Sequence, residues 1–427
     1  MVAFTNLKFA SLQMEDVFLL GLTTWCFASF AANGSSLRIS NTLRPLLKDY
    51  ALLLVLLFTT SVFALRLQFF PLVGVSILKE PVFLSLSRFI QLTAVIVGFI
   101  WLANLLQNNR EALRKALQTY WFTGLFVCSY AIVSYLLLHF AHINIGGASP
   151  GGGGRARGTF NEGGPFGLYV VSLFVVAVLR RLVFGCRIGT VAAATVLIAF
   201  ALAFSKAGFV ALGVMGIAWV ASHRISVRTV VLGSLIVSIL AAVGVALHPE
   251  RQIRDYTISY ENIHAKIEHG HRADYNLVLG RVAAGYIVPR MVEAHPLLGI
   301  GIGNYPLMRN NPKYLGPLPP VYRHEDLPGL GLIGYAPDFG IPGLLAMSWL
   351  LTAPFRICRR TSLKLSVLGL FQIICHLFGA QLTFFYPWFV SACILGSYSV
   401  LRSRSEYGMK GVLNVSRQAP PVAKAAI

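Results

Sequence analysis

PFGLYVVSLFVVAVLRRLVFGCRIGTVAAATVLIAFALAFSKAGFVALGVMGIAWVAS, residues 165–222, decides the fold class. It holds three apolar runs, 165–181, 188–204 and 207–222. Arg180 and Arg181 end the first and Arg187 precedes the second, while only Ser205 and Lys206 separate the last two. The hydrocarbon core of a bilayer takes about 20 apolar residues per spanning helix, with a lower limit near 17. These runs sit at that limit. The last pair reads either as a tight hairpin or as one broken helix. Lys206 is a lone charge between apolar runs, which is either functional or a lysine snorkelling to the interface.

Working outward, further apolar runs occur at 16–33, 49–68, 86–106, 119–140, 229–247, 340–356, 364–379 and 385–401. Hydrophobic residues make up 56% of the chain and charged residues 12%, at a mean hydropathy of +0.67. This balance excludes a soluble domain. The expected fold is an all-α polytopic membrane protein of about 11–12 transmembrane helices with one large, partly helical outer loop. Residues 1–247 carry about eight of those helices, with a Gly/Arg-rich outer loop at 141–164. Residues 248–339 form the large loop, 340–403 the last three or so helices, and 404–427 a basic tail. Cys26, Cys128, Cys186, Cys358, Cys375 and Cys393 all fall in spans or at their ends. No disulfide is expected in the loop, and no Cys/His spacing suits a metal.

The formal net charge is +20, which on its own would suit nucleic acid. Its distribution argues against that partner. Basic clusters recur in every second connection: Arg38, Arg44 and Lys48; Arg110, Arg114 and Lys115; Arg180, Arg181 and Arg187; Arg224 and Arg228; Arg356, Arg359, Arg360 and Lys364; and the tail from Arg402. Positively charged connections stay in the cytoplasm, so these mark the inner side and the long loop faces out. The C-terminus is then cytoplasmic. An odd number of spans puts the N-terminus outside, or else one span has been merged or missed. No cleavable signal peptide is apparent.

The loop at 248–339 holds His248, His264, His269, His271, His295 and His324, six of the ten histidines. Long ordered loops are usually functional. Residues 273–294 read as a helix, with Leu277, Arg281, Ala284 and Val288 at helical spacing and Pro289 kinking or ending it. Arg281 offers a fixed fork of donors to a diphosphate or a leaving group, or pairs with Asp274. His324, between Arg323 and Glu325, has the basicity of a general base, or is a surface histidine. His295 begins HPLLGIGIGNYP, where it is expected to bond the backbone of a glycine turn. Glu268, His269 and His271 are only a weak metal signal. In the 141–164 loop, Arg155 and Arg157 follow four glycines and suit an anionic headgroup. Arg66 and Arg88 read as interface anchors.

Four segments resemble the O-antigen ligase and polysaccharide polymerase superfamily of bacterial envelope glycosyltransferases. They are RGTFNEGGPFGLYV from Arg157, FSKAGFVAL from Phe204, RVAAGYIVPRMVEAHPLLGIGIGNYP from Arg281, and His324 followed by a Gly-rich run and DFGIPGLL from Asp338. The arginine followed by HPLLGxG is the more specific of them. The resemblance covers roughly residues 150–355. It implies a metal-independent, cofactor-free enzyme of the bacterial inner membrane with its active site facing the periplasm. Such an enzyme takes a glycan from undecaprenyl diphosphate and passes it to lipid A–core or to a second lipid-linked glycan. Carried over to this chain, Arg281 would stabilise the diphosphate and His324 would act as base on the acceptor hydroxyl. Lys206 stands where the family has arginine, and Arg157, with Arg155 and Arg290, completes the diphosphate set. The chain departs from the pattern at Lys206, and the stretch after His324 lacks the common His-Asn pair. A transporter or a non-catalytic assembly component is the rival reading. A transporter predicts internal repeats and mid-span charges, and neither is visible.

Overall fold

The computed structural model describes residues 8–9, 12–13, 21, 39–70, 80–148, 154–160, 162–222, 281–316, 318, 320–321 and 328–417. Among them the architecture is helical, apart from a two-residue pairing of β1 (Lys8–Phe9) with β2 (Leu12–Gln13) and one bridge between Ala148 and Ala156. Among the described residues four helices are long and apolar enough to cross a membrane: α1 (Arg44–Ala64), α2 (Pro81–Asn108), α3 (Arg110–Phe140) and α4 (Gly163–Phe184). Their ends follow local chemistry. Pro45 and Pro81 open α1 and α2, where the missing N–H would have no helical partner anyway. Asn109 caps α3 by accepting from Ala112 N–H at 2.9 Å. Gly185 closes α4 in the left-handed conformation.

The chain continues with α5 (Thr190–Ala203), α6 (Lys206–Ala221), α7 (Arg281–Ala294), α8 (Tyr305–Met308), α9 (Pro312–Leu315) and a 3-10 turn at Gly331–Tyr335. Then come α10 (Ala336–Leu351), α11 (Ala353–Cys358), α12 (Leu363–Gly369), α13 (Phe371–Leu377) and α14 (Phe385–Arg417). Two apolar runs expected to be continuous are broken. The run at 340–356 is kinked at Gly340 (φ 67°, ψ 172°) and interrupted again at Thr352. The run at 364–379 is split at Leu370 into α12 and α13. There Gly369 lies against the Phe355 backbone, where a Cβ would come within 2.5 Å of the amide nitrogen. The expected helix at 273–294 is described from Arg281, and Pro289 does not end it; its ring sits on the exposed face. The runs at 16–33 (save residue 21) and 229–247 lie outside the described residues, as do 248–280.

α4 is the central helix. Its most apolar stretch is 78% buried, against 33% in α1 and in α3. α14 packs along α2 and also touches α3 and α4. Trp388 on α14 sits at the middle, with ring centroids 6.0 Å from Tyr50 and 5.5 Å from Phe99. Exposed apolar side chains such as Leu52, Phe58, Phe122 and Phe126 line the outsides of α1 and α3, as lipid-facing surfaces do. A second, smaller core lies in the loop region. Ala284, Ile287, Val288 and Met291 of α7 pack there with Ile300, Tyr305, Met308, Tyr314 and Leu315.

The helix ends sort by chemistry. At one end the basic residues gather: Arg110 lies over Phe184, Arg180 over Trp121, and Arg356 over Trp349. At the other end the glycine-rich segments meet, as described next.

Candidate active site

Two glycine-dependent junctions build the second end. In the first, the turn after α7 docks on the start of α10. Ile300 N–H donates to Pro337 O at 2.7 Å, and Ile341 N–H donates to Pro296 O at 2.8 Å. The backbones approach so closely that a Cβ on Gly299 would lie 2.5 Å from Pro337 O. A Cβ on Gly340 would lie 2.3 Å from Leu297 O. Both glycines have positive φ, 67° in each case, where side chains other than hydrogen are strained. The same turn reaches α1, since Ile302 N–H donates to Ser61 Oγ at 3.2 Å. HPLLGIGIGN and PDFGIPG, two motifs far apart in sequence, are therefore one structural unit.

In the second junction, the Gly/Arg-rich loop docks on the break between α5 and α6. Phe204 ends α5 in the left-handed conformation, with φ 44°. Ser205 then caps α6 by accepting from Gly208 N–H at 3.0 Å, and donates to Gly164 O at 3.1 Å. Ala156 N–H donates to Leu202 O at 3.0 Å. Gly163 faces Ala203 O, and Gly167 faces Ser205, with no room for a Cβ at either place. Small residues let these two helix starts come together. Arg155 and Lys206 are thus carried on adjoining segments beside the N-termini of α4 and α6. Helix N-termini favour negative charge. Lys206 is exposed; Arg155 and Arg157 are half-buried. Arg155 Nε is buried with no hydrogen-bond acceptor among the described residues. Arg157 Nε donates to Gly146 O at 3.0 Å.

The segment 380–388 links the two junctions. Tyr386 touches Phe160 of the Gly/Arg-rich loop edge to face, at 6.1 Å. Leu382 N–H donates to Tyr335 Oη at 3.2 Å, and Leu382 O accepts from Trp388 Nε1 at 2.9 Å. Between this segment and the docked turn lies a crevice of about 30 Å³. Its floor is buried Asp338, Phe339, Leu92, Ile302 and Leu382, and its rim is half-buried Arg88, Tyr335, Gln381 and Thr383. Asp338 Oδ2 accepts from Gly303 N–H at 2.9 Å. Its Oδ1 is buried and accepts no hydrogen bond among the described residues. Asp338 precedes the Gly340 kink, ahead of the span. Burial raises its carboxyl to about 7, against the opposing pull of the Gly303 and Tyr305 amides and the Arg88 guanidinium.

The other sequence candidates fall as follows. Arg281 is exposed at the first described residue of α7, on a stripe with Gly285, Pro289 and Glu293. Arg290 is nine residues further on, about 180° around the helix. It folds back on its own helix, donating to Tyr286 O at 2.8 Å with its guanidinium carbon 3.3 Å from the Tyr286 ring centre. The two arginines therefore do not share a face. His324, Asp274 and the Glu268–His271 group lie outside the described residues. His295 bonds through its side chain to Tyr314 Oη at 2.8 Å rather than to the turn backbone. Burial, then the charge of Lys313, pushes its imidazole below the usual range. Arg88, expected to be a plain interface anchor, lines the crevice and donates to Gln91 Oε1 at 3.1 Å. Asp338 was missed as a candidate. Its signal was a lone carboxylate at the threshold of an apolar run.

No curated protein matches the chain. A family model described as O-antigen ligase matches residues 191–348, which takes in the Ser205 break, α7, the docked turn and the start of α10. Over residues 191–348 this helical membrane protein is thus similar to the O-antigen ligase family, which the quoted motifs also resemble.

Proposed function

We propose that this protein is a glycosyltransferase that moves a glycan from an undecaprenyl-diphosphate-linked donor to an acceptor hydroxyl at the outer face of the bacterial inner membrane. The acceptor is lipid A–core or a second lipid-linked glycan. The observation that carries this reading is the family match at residues 191–348, within which HPLLGIGIGN is seated on PDFGIPG. Attack on the anomeric carbon forms a new C–O bond and expels the lipid diphosphate. The leaving group needs cations, and preorganised charge is worth most where water is excluded. Arg281, Lys206, Arg155 and Arg157 are the proposed diphosphate contacts, with Arg155 and Lys206 reinforced by two helix N-termini; Arg290, turned onto Tyr286 on the other face of α7, is left out of the set. His324 is the proposed base on the attacking hydroxyl. The basic helix ends support a cytoplasmic C-terminus and a periplasmic site.

A complementation assay tests this. In a host deleted for the gene, wild type restores full-length envelope glycan. Arg281→Ala and His324→Ala at matched expression do not, since loss of such groups slows transfer about 10²–10⁴-fold. Normal glycan from both variants would sink the assignment.

A further inference from the structure

The crevice above Asp338 lies where two of the quoted motifs, GIGIGN and DFGIPG, meet residues 381–383. A buried carboxylate oxygen, Oδ1, is left without a hydrogen bond among the described residues. Asp338 lines a crevice of about 30 Å³, more than the ~10–15 Å³ that one water or hydroxyl group needs. Around it stand an arginine, an amide, a threonine hydroxyl and the Tyr335 ring, which stacks on Phe339 at 5.5 Å. Unsatisfied buried acceptors are costly, and a donating hydroxyl removes that cost. Planar polar groups with an aromatic wall are the chemistry that recognises sugars.

We propose that this crevice is a sugar-hydroxyl subsite, in which one hydroxyl of the transferred glycan or of the acceptor glycan donates to the Asp338 carboxylate while its ring rests on the rim of Tyr335, Gln381 and Thr383. The proposal rests on the transferase reading and assigns a specificity contact, leaving the proton-abstracting role with His324. The titratable groups facing Asp338 are Arg88 from α2 and Tyr335 from the 3-10 turn. The turn at 302–303 and the segment 381–383 bring none. A hydroxyl donor favours the ionised carboxylate, so glycan binding is coupled to loss of the Asp338 proton. With the carboxyl held up to about 7, affinity rises with pH across neutrality.

The test is glycan binding, measured without turnover by calorimetry on the full chain in lipid nanodiscs. The probes are the host's repeat-unit glycan freed from its carrier and, separately, its lipid A core oligosaccharide. Whichever probe binds identifies the source of the hydroxyl. The expected result is tighter binding to wild type at about pH 8 than at about pH 6. Asp338→Asn should bind about ten- to hundredfold more weakly, without the pH dependence. Thr383→Leu fills the crevice and leaves every hydrogen bond of Asp338 in place, so it decides the matter if Asp338→Asn does not fold. Unchanged binding by Thr383→Leu, or no binding of either glycan by wild type, overturns the subsite. The transferase reading fails separately, through restored envelope glycan in the Arg281 and His324 variants.

Discussion

Asp338 shows how a single carboxylate ties packing to proton uptake. Burial raises its titration to about 7, well above an unfolded aspartate near 3.9. The protonated form is therefore the one the fold favours. Its contribution to stability is fully present below about pH 4 and is lost as pH rises through about 7, at about 1.4 kcal/mol for each unit of displacement. Amide hydrogen exchange at Ile300 to Gly303 should therefore quicken between about pH 5 and about pH 8 by more than intrinsic chemistry explains. In Asp338→Asn that excess should vanish. An unchanged excess would mean that another group controls the docking. Little of this was readable from the residue's neighbours in sequence. Gly303 is 35 positions away, and Arg88 is contributed by a helix much earlier in the chain.

At the scale of elements, the glycines divide into two kinds. Gly340 combines positive φ with backbone contacts on the position a Cβ would take. Gly340→Ala should cost at least about 1–3 kcal/mol from the backbone alone, with more from the clash. Retained thermal stability in detergent would contradict the docked geometry. Gly285 on α7 is exposed, with open space around it, so Gly285→Ala should stabilise by about 0.5–1 kcal/mol. The long helices α1 to α4 were legible because apolar runs of spanning length leave few alternatives. The breaks at Leu370 and Thr352 were not, because an apolar run has the same composition whether or not it bends. The Gly369 approach to Phe355 that accompanies the first break involves a partner outside the run. The choice between hairpin and broken helix at 188–222 could be posed from Ser205 and Lys206, but the capping bond and the left-handed Phe204 resolve it into two helices with one short break.

At the scale of the whole molecule, charge and glycine occupy opposite ends of the bundle. Alkaline phosphatase fused after Arg402 should be inactive, whereas the same reporter fused after Gly147 should be active. The reverse pattern would invert the proposed orientation and move the candidate site to the cytoplasm. The alternation of basic connections made this polarity visible in the sequence. The convergence of residues 155–164, 203–208, 299–304 and 380–386 at one end was not visible, since it depends on contacts between glycines and backbones of distant segments.

The seating of the turn on α10 also has a topological meaning. Pro296 to Ile341 is closed at its base by two backbone hydrogen bonds, and inside it Asn310 binds both backbone groups of Val321, at 2.7 and 2.8 Å. Val321 is therefore held on a fixed stem, and residues 322–327, which follow it, lie outside the described residues. Doubling the length of a closed loop costs only about 0.6 kcal/mol in closure entropy. Descendants of this chain can add residues after Val321 at little cost to the stem, provided that His324 is kept.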